Sequence, residues 1–399
     1  MGPLSGVVVL DLGQYLAGPF GAMLLGDLGA EVIKVEPVRG DGMRMAGMPF
    51  VGCQRGKLDL AVDVKAPEGL EVVLRLAEIA DVVHHNMTKG TAARLGIDYE
   101  ALKARNTDLV HCNTYAYGAE GPLSDFGGLD PLYQAACGLE FEAGPVAAGN
   151  PPLYLRFGMT DTANAMVSAV GVLAALYHQR RTGEGQDLWT SLFNGAAVFG
   201  SDVFLVDGEP GPARPGLDVE QMGVSPCCRL YETQDGWLQV AALGPGQWSA
   251  LCHLVGVPEL ERYESFDERV AARSDIASAL MPRFRTRTAL AWYYDLAAAG
   301  VAAEVSVDTV DGASVLHDAD NERLGLVAEY PHPILGQVRQ FGTLVDFSES
   351  PTGPYGPPPL VGEHSRSIME RLGYASEEID DLLTRGVIYE PGEDYRWTE

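Results

Sequence analysis

The sequence predicts an α/β fold with an open parallel sheet in its first half. Short β-branched apolar runs alternate with helical stretches between residues 6 and 113. The first two of these runs flank one helix, and a βαβ unit of this kind makes its strands parallel. Two Pro/Gly-rich segments, residues 208–216 and 351–359, divide the second half of the chain.

Residues 6–12 (GVVVLDL) read as a buried strand. Residues 13–19 read as a loop, because Gly13, Gly18 and Pro19 interrupt regular structure. A helix is expected over 20–28, with Met23, Leu24 and Leu28 on its apolar stripe and Gly29 at its end. Residues 31–36 (EVIKVE) form the second strand, and further strands fall at 81–85 and 109–113. Helices over 67–80 and 92–105 separate them. Residues 166–178 are apolar nearly all round, which predicts a buried helix. The nearly apolar run 165–177 is too short to span a bilayer. A new element opens at 187–192. Past the first Pro/Gly-rich segment, residues 229–241 read as a β-hairpin turning at Gln234-Asp235-Gly236. Gly244-Pro245-Gly246 leads into a helix from Trp248, acidic helices continue to about Gly300, and residues 360–365 open a final helix pair.

The composition is that of a soluble globular chain of 399 residues, 46% hydrophobic and 21% charged. The N-terminus has no basic segment followed by an apolar one, so a cytoplasmic location is expected. Six scattered cysteines lack zinc spacing and are too few for a disulfide scaffold. A net charge of −27 argues against nucleic acid and anionic membranes as partners. Residues 1–105 carry 11 Lys and Arg against 13 Asp and Glu, a net of −2, and hold all five lysines. If the protein binds a phosphorylated ligand, this is where it must do so; the alternative is an Arg-preferring, acidic composition that happens to leave its few lysines here.

One carboxylate stands out. In Phe157-Gly158-Met159-Thr160-Asp161-Thr162, an extended segment turns into the long apolar helix. Unpaired N–H groups and the positive dipole end of that helix keep a carboxylate ionised. Asp161 so placed is either a nucleophile or a plain N-cap, and the two roles are compatible. The dinucleotide fingerprint G-x-G-x-x-G is absent after the first strand, which counts against NAD.

An ordered series of segments resembles the class III CoA-transferases, the group that includes formyl-CoA transferase, carnitine CoA-transferase and the 2-methylacyl-CoA racemases. The series comprises Val9-Leu10-Asp11-Leu12, Ala17-Gly18-Pro19, residues 29–36, Arg55-Gly56-Lys57, residues 90–96, and Asp161 with residues 171–176 (GVLAAL). Residues 181–186 (RTGEGQ), Asp235-Gly236-Trp237 and residues 359–364 (PLVGEH) complete it. The resemblance implies a large Rossmann-like domain, an inserted smaller α+β domain and an interlocked homodimer. The corresponding expectation is a large domain over 1–207, a linker over 208–222, a small domain over 223–325, and a return linker with the rest of the large domain over 326–399.

The resemblance also assigns residues. Asp161 would be the nucleophile, passing through a mixed anhydride and an aspartyl-CoA thioester. Leu16 and Ala17 lie in the first loop, where formyl-CoA transferase has Gln in place of Leu16. Coenzyme A would be met by Arg94 and by Asn86, Met87 and Thr88, with Thr88 replacing the family's Arg; Arg39 lies beside a further family position, here Pro37, and Lys65 and Lys89 are cations added to this set from the charge pattern. Gly244 and Gly246 match the glycine-rich loop that covers the site. Asp130 is a structural or substrate-side residue, and Gln14, Tyr15, Tyr133 and Gln134 are polar candidates beside it. The racemase branch has His where this chain has Leu129, and leucine cannot exchange a proton. A non-catalytic CoA-binding homologue is the other alternative. No metal or permanently bound cofactor is implied; coenzyme A, acyl-CoA and a free carboxylic acid are the expected ligands.

Overall fold

The structure, a computed structural model, describes every residue except 47, 142–151, 157, 212–215, 219, 308–312, 354–355, 393–394 and 396–399. Phe157 of the segment leading to Asp161 and parts of both Pro/Gly-rich segments therefore lie outside the described residues. The chain forms two compact units. One comprises Met1–Cys137, Arg156–Asp202 and Leu316–Glu399; the other comprises Gly138–Leu155 and Val203–Val315.

The first unit is built on six parallel strands: β1 (Val8–Asp11), β2 (Glu31–Glu36), β3 (Leu58–Val62), β4 (Val82–His85), β5 (Val110–Tyr115) and β6 (Gln186–Ser191). They stand in the order β3-β2-β1-β4-β5-β6, and Ile388–Tyr389 adds an antiparallel edge strand beside β3. Both faces are covered, because successive residues of a strand point to opposite sides. Val9 packs with Ala22, Leu25, Val172 and Leu176 on one face, while Leu10 and Leu12 pack with Val72, Leu76 and Met369 on the other. β1 pairs with β2 on one side and β4 on the other, so the strand order reverses there. In open α/β sheets ligands bind at such a switch point, beyond the carboxyl ends of the strands.

Three sequence expectations are corrected in this unit. The first helix runs over Ala17–Asp27, so Gly18 and Pro19 belong to its first turn rather than to a loop. The N–H groups of a first turn have no intrahelical acceptor, so a proline there costs no hydrogen bond. The helix expected over 92–105 is two short ones, Thr91–Leu95 and Tyr99–Lys103, because Gly96 adopts φ +74° and ends the first. The long helix spans Met159–Thr182 and is not buried all round: Met166, Val170 and Tyr177 are 48%, 66% and 65% exposed. Its 24 residues are long and apolar enough to cross a membrane by length and composition, contrary to the shorter run read from sequence. Half of its most apolar window is nevertheless packed inside the unit, where Ala169, Val172, Ala175 and Leu176 join the core.

The second unit has a four-stranded antiparallel sheet with helices packed on it. Cys228–Glu232 and Trp237–Ala241 form the expected hairpin, closed by the Thr233 N–H donating to the Gly236 carbonyl at 2.8 Å. Its core gathers Tyr231, Trp248, Phe284 and Trp292, with the Tyr231 and Phe284 rings stacked at 4.3 Å. The helix after the hairpin starts at Pro245 rather than Trp248.

Candidate active site

Asp161 does not cap the long helix. Gly158 is the cap residue, and Asp161 is the third residue of the helical run. The capping is done from outside by Asp130, at the start of the helix Asp130–Ala136. One oxygen of Asp130, Oδ2, accepts the Thr160 N–H at 2.7 Å, the Thr160 hydroxyl at 2.7 Å and the Asp161 N–H at 3.0 Å. Gln134 donates to the other oxygen of Asp130. Among the described residues the Asp161 carboxylate itself accepts no hydrogen bond. Burial, and then the charge of Asp130, push its carboxyl up to about 7. This corrects the expectation that the helix start holds Asp161 ionised: a second carboxylate has already taken the helix donors.

The loop before the first helix reaches the same place, and buried charges hold it there. The Asp11 carboxylate accepts the Gly13 N–H at 2.9 Å, and the Gly13 carbonyl accepts from Lys34 Nζ at 3.0 Å. Gln14 is clamped to Asn86 in both directions, N–H to Oδ1 at 2.9 Å and carbonyl to Nδ2 at 2.7 Å. Tyr15, in the left-handed region at φ +63°, donates its N–H to Asp41 at 3.2 Å. Lys57 holds Asp11 at 2.7 Å and the Pro19 carbonyl at 2.8 Å. The following residue, Leu16, lies over Gly158: a Cβ on that glycine would sit 2.8 Å from Leu16 Cδ2 and 3.7 Å from Asp161 Oδ2. Leu16 is thus an apolar neighbour of the Asp161 carboxylate.

Ala17, Tyr133, Leu192 and Ala196 form a small buried cluster behind this point, with Tyr117 against it. The Tyr117 and Tyr133 rings are 4.8 Å apart. The helix Leu192–Phe199 approaches closely at Gly195, where a Cβ would lie 2.4 Å from the Thr160 carbonyl and 3.0 Å from Asn164 Cβ. Tyr117 and Asn164 were not singled out from sequence. For Asn164 the signal was present, since it lies three residues past Asp161 on the same helix. For Tyr117 there was none.

Beyond the ends of β1 to β4 lies a cavity of about 200 Å³ lined by Gln14, Glu36, Pro37, Lys65, Met87 and Leu95, among others. It occupies the place where an open α/β sheet holds a nucleotide. His85 accepts the Met87 N–H at 3.2 Å through Nδ1. Its Nε2 therefore carries the proton shared with His111 Nε2 at 2.9 Å, and His111 Nδ1–H donates to Asp187 at 2.7 Å. The loop after β4 is thereby anchored across three strands. A larger open groove of about 630 Å³ lies elsewhere in this unit, but on its walls Glu68, Glu71, Glu377, Glu378 and Asp381 outnumber Arg75 and Arg385 and disfavour an anion.

The sequence model of CoA-transferase family III matches residues 4–365. The chain belongs to CoA-transferase family III. It is a CoA-transferase enzyme, and its substrates are CoA thioesters. It is 33% identical to succinyl-CoA:glutarate CoA-transferase of Mus musculus over 97% of this chain and 91% of that protein. It is 32% identical to succinate–glutarate CoA-transferase of Agrobacterium fabrum over 93% of this chain and 96% of that one. The crystal structure of Rv3272 from M. tuberculosis aligns with a TM-score of 0.78 at 28% identity, covering 92% of this chain and 99% of that one.

In this family III chain the basic first quarter divides in two. Lys34, Arg44, Arg55 and Lys57 are buried and paired with Asp41, Glu36, Asp27 and Asp11. They build the loop and sheet edge and do not present charge to a ligand, which corrects the reading of this whole quarter as a phosphate surface. Arg39, Lys65, Lys89 and Arg94 remain exposed. Lys65 and Met87 line the cavity, and Asn86 stands beside it with its amide engaged by Gln14. Arg94 and Thr88 both bond the Thr91 hydroxyl at 2.8 Å, and Lys89 donates to Ser124 at 3.1 Å. Gly244 and Gly246 belong to the second unit. Gly244 precedes the helix Pro245–Val255 and donates its N–H to the Gln247 side chain at 3.1 Å, while Gly246 lies in the first turn.

Proposed function

We propose that this enzyme moves coenzyme A from an acyl-CoA to a free carboxylate by way of Asp161. The observation that carries the reading is the freedom of the Asp161 carboxylate. It stands at a helix start whose donors are held by Asp130, beside apolar Leu16 and accepting no hydrogen bond among the described residues. An under-solvated carboxylate is a stronger nucleophile than one bound to donors.

Asp161 attacks the thioester carbonyl, the coenzyme A thiolate leaves, and a mixed anhydride forms. The thiolate then attacks the aspartyl carbonyl; the first acid departs and an aspartyl-CoA thioester remains. The incoming carboxylate attacks that thioester and releases the thiolate again. The thiolate takes the new acyl group, and Asp161 returns as carboxylate. No intermediate loses its acyl activation unless water enters, so the apolar wall of Leu16 and Ala17 serves the chemistry directly.

In this reading the nucleotide part of coenzyme A lies in the cavity beyond β1 to β4, with Lys65, Arg94, Lys89 and Arg39 available to its phosphates. The second unit is the smaller inserted domain, and Gly244 and Gly246 belong to it. Two chains interlock, which would bury the exposed stripe of Met166, Val170 and Tyr177 on the long helix. The relatives' names point to dicarboxylic acids as donor and acceptor. All six cysteines are free, which suits the reducing cytoplasm.

Mass spectrometry after incubation with a panel of acyl-CoAs, beginning with succinyl-CoA, tests the mechanism. An adduct on Asp161, absent in Asp161→Ala together with transfer to glutarate, is expected. Full activity in Asp161→Ala would exclude the aspartyl route.

A further inference from the structure

We propose that the Tyr133 hydroxyl donates a hydrogen bond to the acyl oxygen at Asp161, making Tyr133 a further catalytic residue of the transfer. The inference rests on Asp161 as the group that accepts the acyl. Tyr133 shares one face of the helix Asp130–Ala136 with Asp130 and Gln134, at positions i, i+3 and i+4. The face that caps the Asp161 helix therefore also delivers the phenol.

Tyr133 is fully buried, and its ring is fixed by Ala17, Leu192 and Ala196. Among the described residues its hydroxyl meets no partner in full hydrogen-bond geometry, although the Tyr117 side chain, its ring 4.8 Å from that of Tyr133, is close enough to interact with it. The backbone makes room for this hydroxyl, since a Cβ on Gly128 would lie 1.8 Å from it. Asn164, one turn beyond Asp161, is also buried, with both amide atoms unpartnered among the described residues. Buried polar groups are rarely left unpaired. Tyr133 stands one turn from Asp130, which holds the Asp161 N–H, and Asn164 one turn from Asp161, so we read the two as awaiting a partner that arrives with the substrate.

Each step of the transfer places negative charge on a carbonyl oxygen bonded to, or facing, Asp161. A fixed donor in a dry wall stabilises that charge without reorganising. Burial first, then Tyr117 and the charge of Asp161, hold the phenol above its ordinary pKa, so it keeps its proton and acts as a donor.

The test is Tyr133→Phe in the full chain, with succinyl-CoA as probe. The melting temperature does not fall, because deleting a buried hydroxyl that lacks a full hydrogen bond removes a desolvation penalty rather than an interaction. The kcat falls about 100-fold with KM for the acyl-CoA unchanged, and the Asp161 adduct accumulates correspondingly slowly. An adduct forming at the wild-type rate in Tyr133→Phe overturns the proposal and leaves Asp161 in its role. A lower melting temperature with unchanged kcat assigns the hydroxyl to folding and overturns it as well. Absence of any adduct in the wild-type enzyme removes the Asp161 reading and this proposal with it.

Discussion

The carboxylate of Asp130 accepts the backbone N–H of Asp161 at 3.0 Å, and the Thr160 N–H beside it at 2.7 Å. One aspartate thus takes over the end of a helix so that another need not. The arrangement places two carboxylates near one another, and this has a measurable electrostatic result.

Burial and the Asp130 charge raise the Asp161 carboxyl to about 7. In the proposed mechanism Asp161 attacks as the carboxylate, so kcat/KM rises with pH through about 7 and then levels. Asp130→Asn removes the charge but keeps an oxygen for the helix N–H groups. Its acid limb moves to lower pH by up to about 1 pH unit. A pH–rate profile on the same limb as the wild type would show that Asp130 does not act through charge.

The same shift sets a stability trend. A carboxyl raised from 3.8 to about 7 binds its proton more tightly folded than unfolded. Its contribution is full below about pH 4, is lost as pH rises toward 7, and stays lost above that. Asp161→Asn cannot ionise, so it melts higher than the wild type at pH 8, by the equivalent of about 1–2 kcal/mol after solvent screening. At pH 5 the gap narrows. Equal gaps at both pH values would contradict the raised carboxyl.

Lys57 binds Asp11, the Pro19 carbonyl and Gln54 Oε1 at 2.7, 2.8 and 2.7 Å. Lys57→Ala strips buried Asp11 of its hydrogen-bonded cation and leaves Lys34 as a more distant one. Urea unfolding should register a loss of about 3–5 kcal/mol, because breaking one side of a buried pair strands the other. A loss under about 1 kcal/mol, the size of a surface pair, would mean that water reaches Asp11.

Gly128 faces the Tyr133 ring so closely that a methyl group would meet three of its atoms within 2.9 Å. The ring is packed and cannot swing away at low cost. Gly128→Ala is expected to destabilise by about 1–3 kcal/mol and to displace the hydroxyl. Gly127→Ala, whose Cβ would meet Thr88 only at 3.6 Å, serves as the neutral neighbour. Identical thermal melts for the two variants would refute the close packing.

Much of the first unit was legible in the chain itself. The run Val8–Asp11, the turn at Gly29 and the run Glu31–Glu36 declare a βαβ unit, because strand and helix periodicities are local properties. The ordered motifs declared the family, and Asp161 was visible as a carboxylate entering a helix. The helix expected over 92–105 failed at Gly96, whose positive φ outweighed the apolar periodicity around it.

Tertiary structure alone decided what these residues do. Which aspartate caps the long helix depends on a contact across thirty residues of sequence, between Asp130 and Thr160. The lysines of the first quarter look alike as letters, yet Lys34 and Lys57 are buried braces while Lys65 lines a cavity. Burial, and the charges it brings near, determine whether a side chain is free to act. A carboxylate at a helix start was the sequence's contribution. That its helix donors are held by a second aspartate and its carboxyl is raised toward neutrality comes from packing that no local pattern encodes.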